Sequence, residues 1–445
     1  MMAGIAFARG GGRDKVSRAP AVDRLAQLAS AVVFLAGFGA FGIGAGQAGG
    51  GSLARQLLWL GICLLAVVLA LRESLSAQFV VPRWQTIVLS LPLLYAAASY
   101  AWSYDPPTTM RRVALLAVLV IIAFVVFARA QGAQRDFLRV LSRPVALLVL
   151  ASLVVTAAFP AYSITDIGWR GVATHKNEFG QLAAIGTLLG IAAIVAGQRA
   201  LGMVAVAVCL AMLALSRSLT AAISLTLVLV LVGSGASFAR LSRGSRQFRI
   251  VALCLVMLCA AVAHVVVVFG LLPRPLELVQ MAFAAAGKST TLTGRTELWE
   301  LVLLNTRFHD PLTGGGFGSF WTGLAGAAGY VSWRFPGGYV GSAHNGYLDV
   351  FNELGYLGLA ILCLFVVTQV SMLIGSQRVS RAERFFHWAV IFFALIVNAT
   401  ESSFWRGTSF LNVVMLMSYC RLLGLVGAGS ATPRKPVPAP HRSWV

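Results

Sequence analysis

The chain has 445 residues, of which 58% are hydrophobic and 11% charged, with a mean hydropathy of +0.82. A soluble globular protein carries about 25% charged residues, and a disordered chain has little apolar surface, so both classes are excluded. Its 35 basic and 15 acidic residues give a net charge of +20. This fits loops that orient a membrane protein better than a nucleic-acid partner, because no basic run interleaves with aromatics in a polar segment.

Residues 1–24 are basic and Gly-rich, with no apolar stretch ahead of a small-residue cleavage site, so no removable signal peptide is expected. Apolar runs of about 20 residues then recur, continuous rather than alternating. They predict an all-α polytopic membrane protein rather than a β-barrel. Twelve spans are read, at about 25–46, 55–71, 86–104, 112–128, 143–160, 178–197, 200–216, 218–238, 248–271, 351–375, 385–400 and 407–424. The chain thus divides into a cytoplasmic tail (1–24), spans one to nine (25–271), a large outer loop (272–350), spans ten to twelve (351–424) and a disordered cytoplasmic tail (425–445). No internal repeat is visible, and all six cysteines fall in spans, which argues against a disulfide framework or a Cys metal site.

Alternating the connections between two sides sorts the charges. One side collects 23 of the 35 basic and 5 of the 15 acidic residues; the other holds 12 and 10. The positive-inside rule places the first side, with both termini, in the cytoplasm. The outer side nevertheless keeps Arg170, Lys176, Arg217, Lys288, Arg295, Arg307, Arg334 and Arg406. Cations held against the orientation bias suit an anionic ligand, and the guanidinium fork matches phosphate or diphosphate oxygens.

Three outer segments carry the candidate chemistry. Arg170–Gly180 (RGVATHKNEFG) follows span five and offers Arg170, His175 and Lys176 for substrate contact. Ser216–Thr220 (SRSLT) forms the tight turn between spans seven and eight. The long loop contains Gly294–Phe308 (GRTELWELVLLNTRF), read as a helix with Thr293 as N-cap. Leu298, Leu301, Val302 and Phe308 on one side would let it rest on the membrane surface. A Gly-rich turn, Thr313–Phe320, and the aromatics Trp321, Tyr330, Trp333, Phe335 and Tyr339 follow, then Ser342–Leu348 (SAHNGYL).

Each of these residues has a plainer reading. Arg217 also fits an anchor that snorkels to the headgroups. Arg295 opposes the helix dipole at a helix start, which disfavours a purely structural role. His344 is placed in the first turn of span ten with Ser342 as cap, where the dipole favours a neutral ring that accepts a proton. His264 and His387 read as structural, and Arg334 and Arg406 acquire no role. Gly287-Lys288-Ser289 lacks the first glycine of a P-loop, and the Gly-rich turn lacks the strand–helix context of a dinucleotide site. The outer loops hold no Asp-x-Asp or His/Asp/Glu cluster, so no divalent metal is expected and arginines would supply the charge stabilisation.

At SRSLT, GRTELW (Gly294–Trp299), GGGFGSF and SAHNGYLDVFNELGYLG (Ser342–Gly358), the chain resembles the O-antigen ligase and polymerase superfamily of bacterial envelope glycosyltransferases. The likeness covers roughly 165–410, and the order of spans around one large outer loop fits it too. The resemblance implies a GT-C-like helical fold in the bacterial inner membrane with its site facing the periplasm. It implies a glycan donor on polyprenyl (undecaprenyl) diphosphate and transfer to a sugar hydroxyl without metal, cofactor or nucleotide. Carried over by position, Arg217 and Arg295 hold the diphosphate, and His344, followed by Asn345, lies near the acceptor. The Arg170–Gly180 segment is more similar to ExoQ-type exopolysaccharide polymerases than to ligases that use lipid A–core as acceptor, so polymerase is favoured and ligase retained. The implied partners are membrane lipids, the lipid-linked oligosaccharide and its glycan acceptor, with room for a chain-length regulator. A lipid-linked glycan transporter is the alternative from another class; it would need mid-span charges or repeat symmetry, neither of which is apparent.

Overall fold

The structure, a computed structural model, describes residues 84–128, 137–241, 295–335, 340–406 and 409–429, with Gly61, Leu64 and Val68 as single helical positions. Long helices dominate: α1 Trp84–Ala98, α2 Pro106–Ala123, α3 Phe137–Ala158, α4 Lys176–Val195, α5 Arg199–Ser216, α6 Leu219–Leu241, α7 Arg295–Leu304, α8 Gly346–Gly375, α9 Arg381–Val397 and α10 Phe410–Gly429. Six of the described helices are long and apolar enough to cross a membrane: Pro106–Phe127, Phe137–Ala158, Lys176–Val195, Arg199–Ser216, Gly346–Gly375 and Phe410–Gly427. The chain is therefore a polytopic membrane protein, and among the described residues it is all-α apart from one two-stranded hairpin, β1 Ile164–Thr165 and β2 Gly168–Trp169. Predicted spans 25–46 and 248–271, with His264, Lys288 and Thr293, lie outside the described residues, and 55–71 contributes only its three single positions.

Local chemistry sets the helix starts. The Asp105 carboxylate accepts from Thr108 N–H at 3.1 Å, and Pro106 and Pro107 supply the preset φ of a first turn, so α2 begins six residues before the predicted span. His175 caps α4 by accepting from Asn177 N–H. Span ten starts at Gly346, because the Asn345 side chain accepts from both Tyr347 and Leu348 N–H; Asn345, not Ser342, is the cap. His344 therefore precedes the helix instead of lying in its first turn.

The helices close around one apolar core that runs from α1 to α10. A Cβ on Gly202 would come within 2.6 Å of Gly190 O, so small residues let α4 and α5 pack backbone to backbone. That pairing brings the N-terminal end of α4 beside the C-terminal end of α5. A second core lies between α7 and α8, where Leu298 and Val302 of α7 pack with Phe320, Trp321, Val331, Leu348 and Phe351. The apolar face of α7 is thus covered by its own loop and by α8; Phe308, predicted to share that face, is 71% exposed beyond the helix end.

Helix α8 is interrupted. Gly355 has φ 63° and ψ −162°, outside any helical conformation. Residues 311–316 fill the break: Tyr356 and Leu357 N–H donate to Pro311 and Leu312 O, while Gly315 and Gly316 N–H donate to Asn352 and Glu353 O, all at 2.9–3.1 Å. The Gly-rich turn is therefore a structural clip on α8. Its far side reaches the end of α1, where Tyr104 N–H donates to Gly315 O.

Candidate functional site

The connections predicted to face outward converge at one end of the helical body. Their meeting point is the carboxylate of Glu401, in the turn between α9 and α10. Asn398 builds that turn: its side-chain oxygen accepts from Ser403 and Phe404 N–H, and its amide donates to Ser403 Oγ. Gly346 N–H donates to both Asn398 O (2.8 Å) and Glu401 O (2.9 Å), which seats the turn on the start of α8.

Three segments reach this carboxylate. Arg295, the first residue of α7, pairs through Nη2 with Glu401 Oε1 at 2.8 Å, and its Nη1 donates to Thr400 O. Asn177, in the first turn of α4, donates through Nδ2 to the same oxygen at 2.6 Å. His344 Nδ1 lies 3.3 Å from Oε2. An ionised carboxylate only accepts, so the shared hydrogen sits on Nδ1 and Nε2 is the nitrogen turned away from the carboxylate. His344 is 38% exposed, whereas Arg295 and Glu401 are 15% and 10% exposed. The imidazole is the accessible member of the group.

Arg217 joins through its neighbour. Ser218 Oγ donates to Asn177 Oδ1 at 3.1 Å, so the α5–α6 turn stands two side chains from Glu401. Arg217 itself is exposed and donates to Asp166 O at 3.3 Å in the hairpin turn. Among the described residues, the non-glycine positions with positive φ are Arg217 (50°), His344 (48°) and Trp405 (53°). Left-handed backbone costs an L-residue about 1–2 kcal/mol and concentrates at functional sites. Here it occurs in three loops that share this corner.

Electrostatics follow the contacts. Burial alone would raise the Glu401 carboxyl, but the hydrogen bond to His344 and the charge of Arg295 outweigh it and hold the group below the ordinary carboxylate range. Burial pushes His175 below the usual histidine value; Glu401 opposes this, and His344, Lys176 and Arg295 add to it. Four charged or titratable groups therefore act on His175 across the corner.

The strand leading to His344 is held on several sides. Trp299 Nε1 donates to Ala343 O (2.8 Å), and Ala343 N–H donates to Asp349 Oδ1 (3.1 Å), which also accepts from Trp321 Nε1. Arg406 Nη2 donates to Gly341 O at 2.9 Å and lies 3.5 Å from Asp349 Oδ2. Asn345 N–H donates to Ser402 Oγ at 3.0 Å.

Of the seven residues singled out in the sequence, Arg295, His344, Asn345 and His175 meet at this corner, with Arg217 at its edge. Lys176 donates to Ile167 O at 3.0 Å. Arg170 is spent on its own loop: Nε donates to Tyr162 O at 2.7 Å, and the guanidinium stacks 4.2 Å above the Tyr162 ring. Trp321 is buried as a hydrogen-bond donor, whereas Trp333 is 78% exposed. His387 is fully buried against Ser418, in keeping with a structural role. Arg334 pairs with Glu297. Three of the arginines predicted to face outward, Arg295, Arg334 and Arg406, thus have carboxylate partners within the chain. The residues that sequence reasoning passed over are Glu401, Asn177 and Ser218. The signal for Glu401 was present in the outer charge count, where 10 acidic residues nearly match 12 basic ones.

Residues 203–363 match the family described as O-antigen ligase. The chain is also similar to the exopolysaccharide production protein ExoQ of Rhizobium meliloti (strain 1021), at 31% identity over 109 residues, 22% of this chain and 24% of that protein. The match thus spans about a quarter of that relative's length. The 203–363 stretch carries Arg217, Arg295 and His344, while Asn177 and Glu401, which tie them together, flank it on either side. The chain is thus a polytopic membrane protein whose residues 203–363 are similar to the O-antigen ligase family.

Proposed function

We propose that this protein transfers a glycan from polyprenyl diphosphate to a sugar hydroxyl at the periplasmic face of the inner membrane. The observation that carries the reading is the single carboxylate of Glu401, which orients an accessible imidazole and a guanidinium toward one corner. His344 Nε2 takes the proton of the attacking hydroxyl. The new C–O bond forms at the anomeric carbon as the bond to the diphosphate oxygen breaks, with inversion. Arg295 and Arg217 balance the charge that develops on the departing lipid diphosphate. His175, Lys176 and Asn345 line the approach, and exposed Trp333 suits stacking on a sugar ring. The reading includes twelve spans in a GT-C-like arrangement, the five-part division of the chain, cytoplasmic termini and a periplasmic 272–350 loop.

The favoured reaction is polymerisation of repeat units, supported by the likeness to ExoQ. Ligation to lipid A–core is the second reading, supported by the description of the matched family. Purified protein in vesicles with a lipid-diphosphate-linked repeat unit separates them. A ladder of longer lipid-linked glycans supports polymerase, and a single transfer once lipid A–core is added supports ligase. Absence of transfer to either acceptor by folded protein would overturn the proposal and favour a transporter.

A further inference from the structure

The connection between α3 and α4 combines two features that its backbone does not require. Phe159, Tyr162, Ile164 and Ile167 are 65%, 42%, 43% and 55% exposed, although they lie beyond the end of α3 at Ala158. The tip of the same hairpin faces two cations: Asp166 O accepts from Arg217 Nη1 at 3.3 Å, and Ile167 O accepts from Lys176 Nζ at 3.0 Å. The hairpin is also pinned at this place. Gly168 has φ 140°, and a Cβ there would come within 2.3 Å of Ser216 O, the residue before Arg217. Apolar side chains and cations are thus fixed side by side at the rim of the Glu401 corner.

A free phosphate or a glycan would use the cations and leave the apolar side chains idle. An amphiphile with an anionic head and a long hydrocarbon tail uses both. We propose that the connection 159–169, the short helix Pro160–Ser163 with the hairpin that follows it, is a docking lip for the polyprenyl tail of the donor, laying the first isoprene units on Phe159, Ile164 and Ile167 while the diphosphate reaches Arg217 and Lys176. This inference rests on the lipid-diphosphate donor proposed above. The carbonyls of Asp166 and Ile167 hold the two cations at the lip, and the diphosphate oxygens replace them as acceptors when donor arrives.

The test uses the full chain in phosphatidylethanolamine vesicles and a long-chain polyprenyl diphosphate with a diazirine in its second isoprene unit. Mass spectrometry should place the photolabel on residues 159–169 of the wild-type protein. Excess unlabelled undecaprenyl diphosphate should suppress it, and an equal amount of phosphatidylglycerol should not. Ile164→Ser with Ile167→Ser should lower labelling about tenfold. It should raise KM for an undecaprenyl-linked donor by a similar factor, and leave a ten-carbon-linked donor within about twofold, because the short tail reaches less of the lip. Labelling that maps elsewhere overturns the proposal, as does equal competition by phosphatidylglycerol, which marks the hairpin as a seat for bulk anionic lipid. Equal loss with long and short donors overturns it too. Hairpin labelling without any glycan transfer would instead remove the transferase reading and leave the lipid site standing.

Discussion

Trp299 and Asp349 hold Ala343 from two sides, the indole N–H donating to its carbonyl and the carboxylate accepting from its N–H. Trp299 lies four residues along α7 from Arg295, and Asp349 lies in the first turn of α8. Ala343 is therefore the point at which the helix that starts with Arg295 is registered against the residue before His344. Trp299→Phe removes the donor and keeps the ring. It should cost about 1 kcal/mol of stability, lower kcat about tenfold and leave donor KM within twofold. A parallel loss in kcat and in thermal midpoint beyond that range would mean that the bond only supports the fold.

Glu401→Gln keeps the shape of the hub and removes its charge. Its amide offers one oxygen to Arg295 and Asn177, and the other atom becomes a donor facing His344 Nδ1. Transfer should fall by about two orders of magnitude or more, with the protein still expressed and monodisperse. A rate within twofold of wild type would remove Glu401 from the mechanism.

Arg217 pays for its position with a left-handed backbone, which glycine adopts freely. Arg217→Gly should keep or raise stability, by up to about 1 kcal/mol, while transfer falls at least about tenfold. If stability drops and activity survives, the guanidinium is an anchor for the α5–α6 turn.

Two groups set the acid limb of stability. The Glu401 carboxyl is held below its unfolded value, so its contribution is complete above the ordinary carboxylate range near about pH 4.3 and is lost as pH falls through the lower folded value. His175 is also depressed, so the unfolded chain takes up a proton first once pH falls below about 6.5. The thermal midpoint should be flat from about pH 8 to 7, decline gently below about 6.5 and fall steeply below about 4.5. His175→Asn, which still caps α4, should abolish the gentle decline and retain the steep one. Persistence of both limbs in that variant would assign the first to another group.

Gly355→Ala places a Cβ 2.4 Å from Leu312 C and forces an L-residue into a conformation it rarely adopts. It should destabilise the protein by about 3 kcal/mol and release the 311–316 clip to limited proteolysis. Unchanged protease resistance would show that the clip holds without the break.

Much of this arrangement was legible in the residues. Nine predicted spans coincide with described helices, since continuous apolar runs have few alternative solutions in a membrane. Arg295 begins a helix, as the charge pattern suggests, whereas His344 precedes α8 instead of lying in its first turn. Glu401 is hard to read from the sequence because arginines predicted to face outward suit an external anion as well as the carboxylates on their own side. Asn177 was hidden for a related reason: its partners are 224 and 41 positions away, and nothing local marks an amide that bridges loops. The Ser342–Asn345 choice of cap turned on which side chain captures two N–H groups, a matter of geometry rather than composition.

The interruption of α8 separates two mechanical duties. Below Gly355 the helix is a rod whose tilt answers to the bilayer around it. The 311–316 segment is bonded to both sides of the break, to Asn352 and Glu353 above it and to Tyr356 and Leu357 below it, and Gly346 is seated on the turn after α9. The glycine therefore sets a fixed bend rather than a free joint, and main-chain hydrogen bonds hold the angle between the rod and the start of α8. The segment that ends in His344 takes its aim from that clip as well as from Glu401.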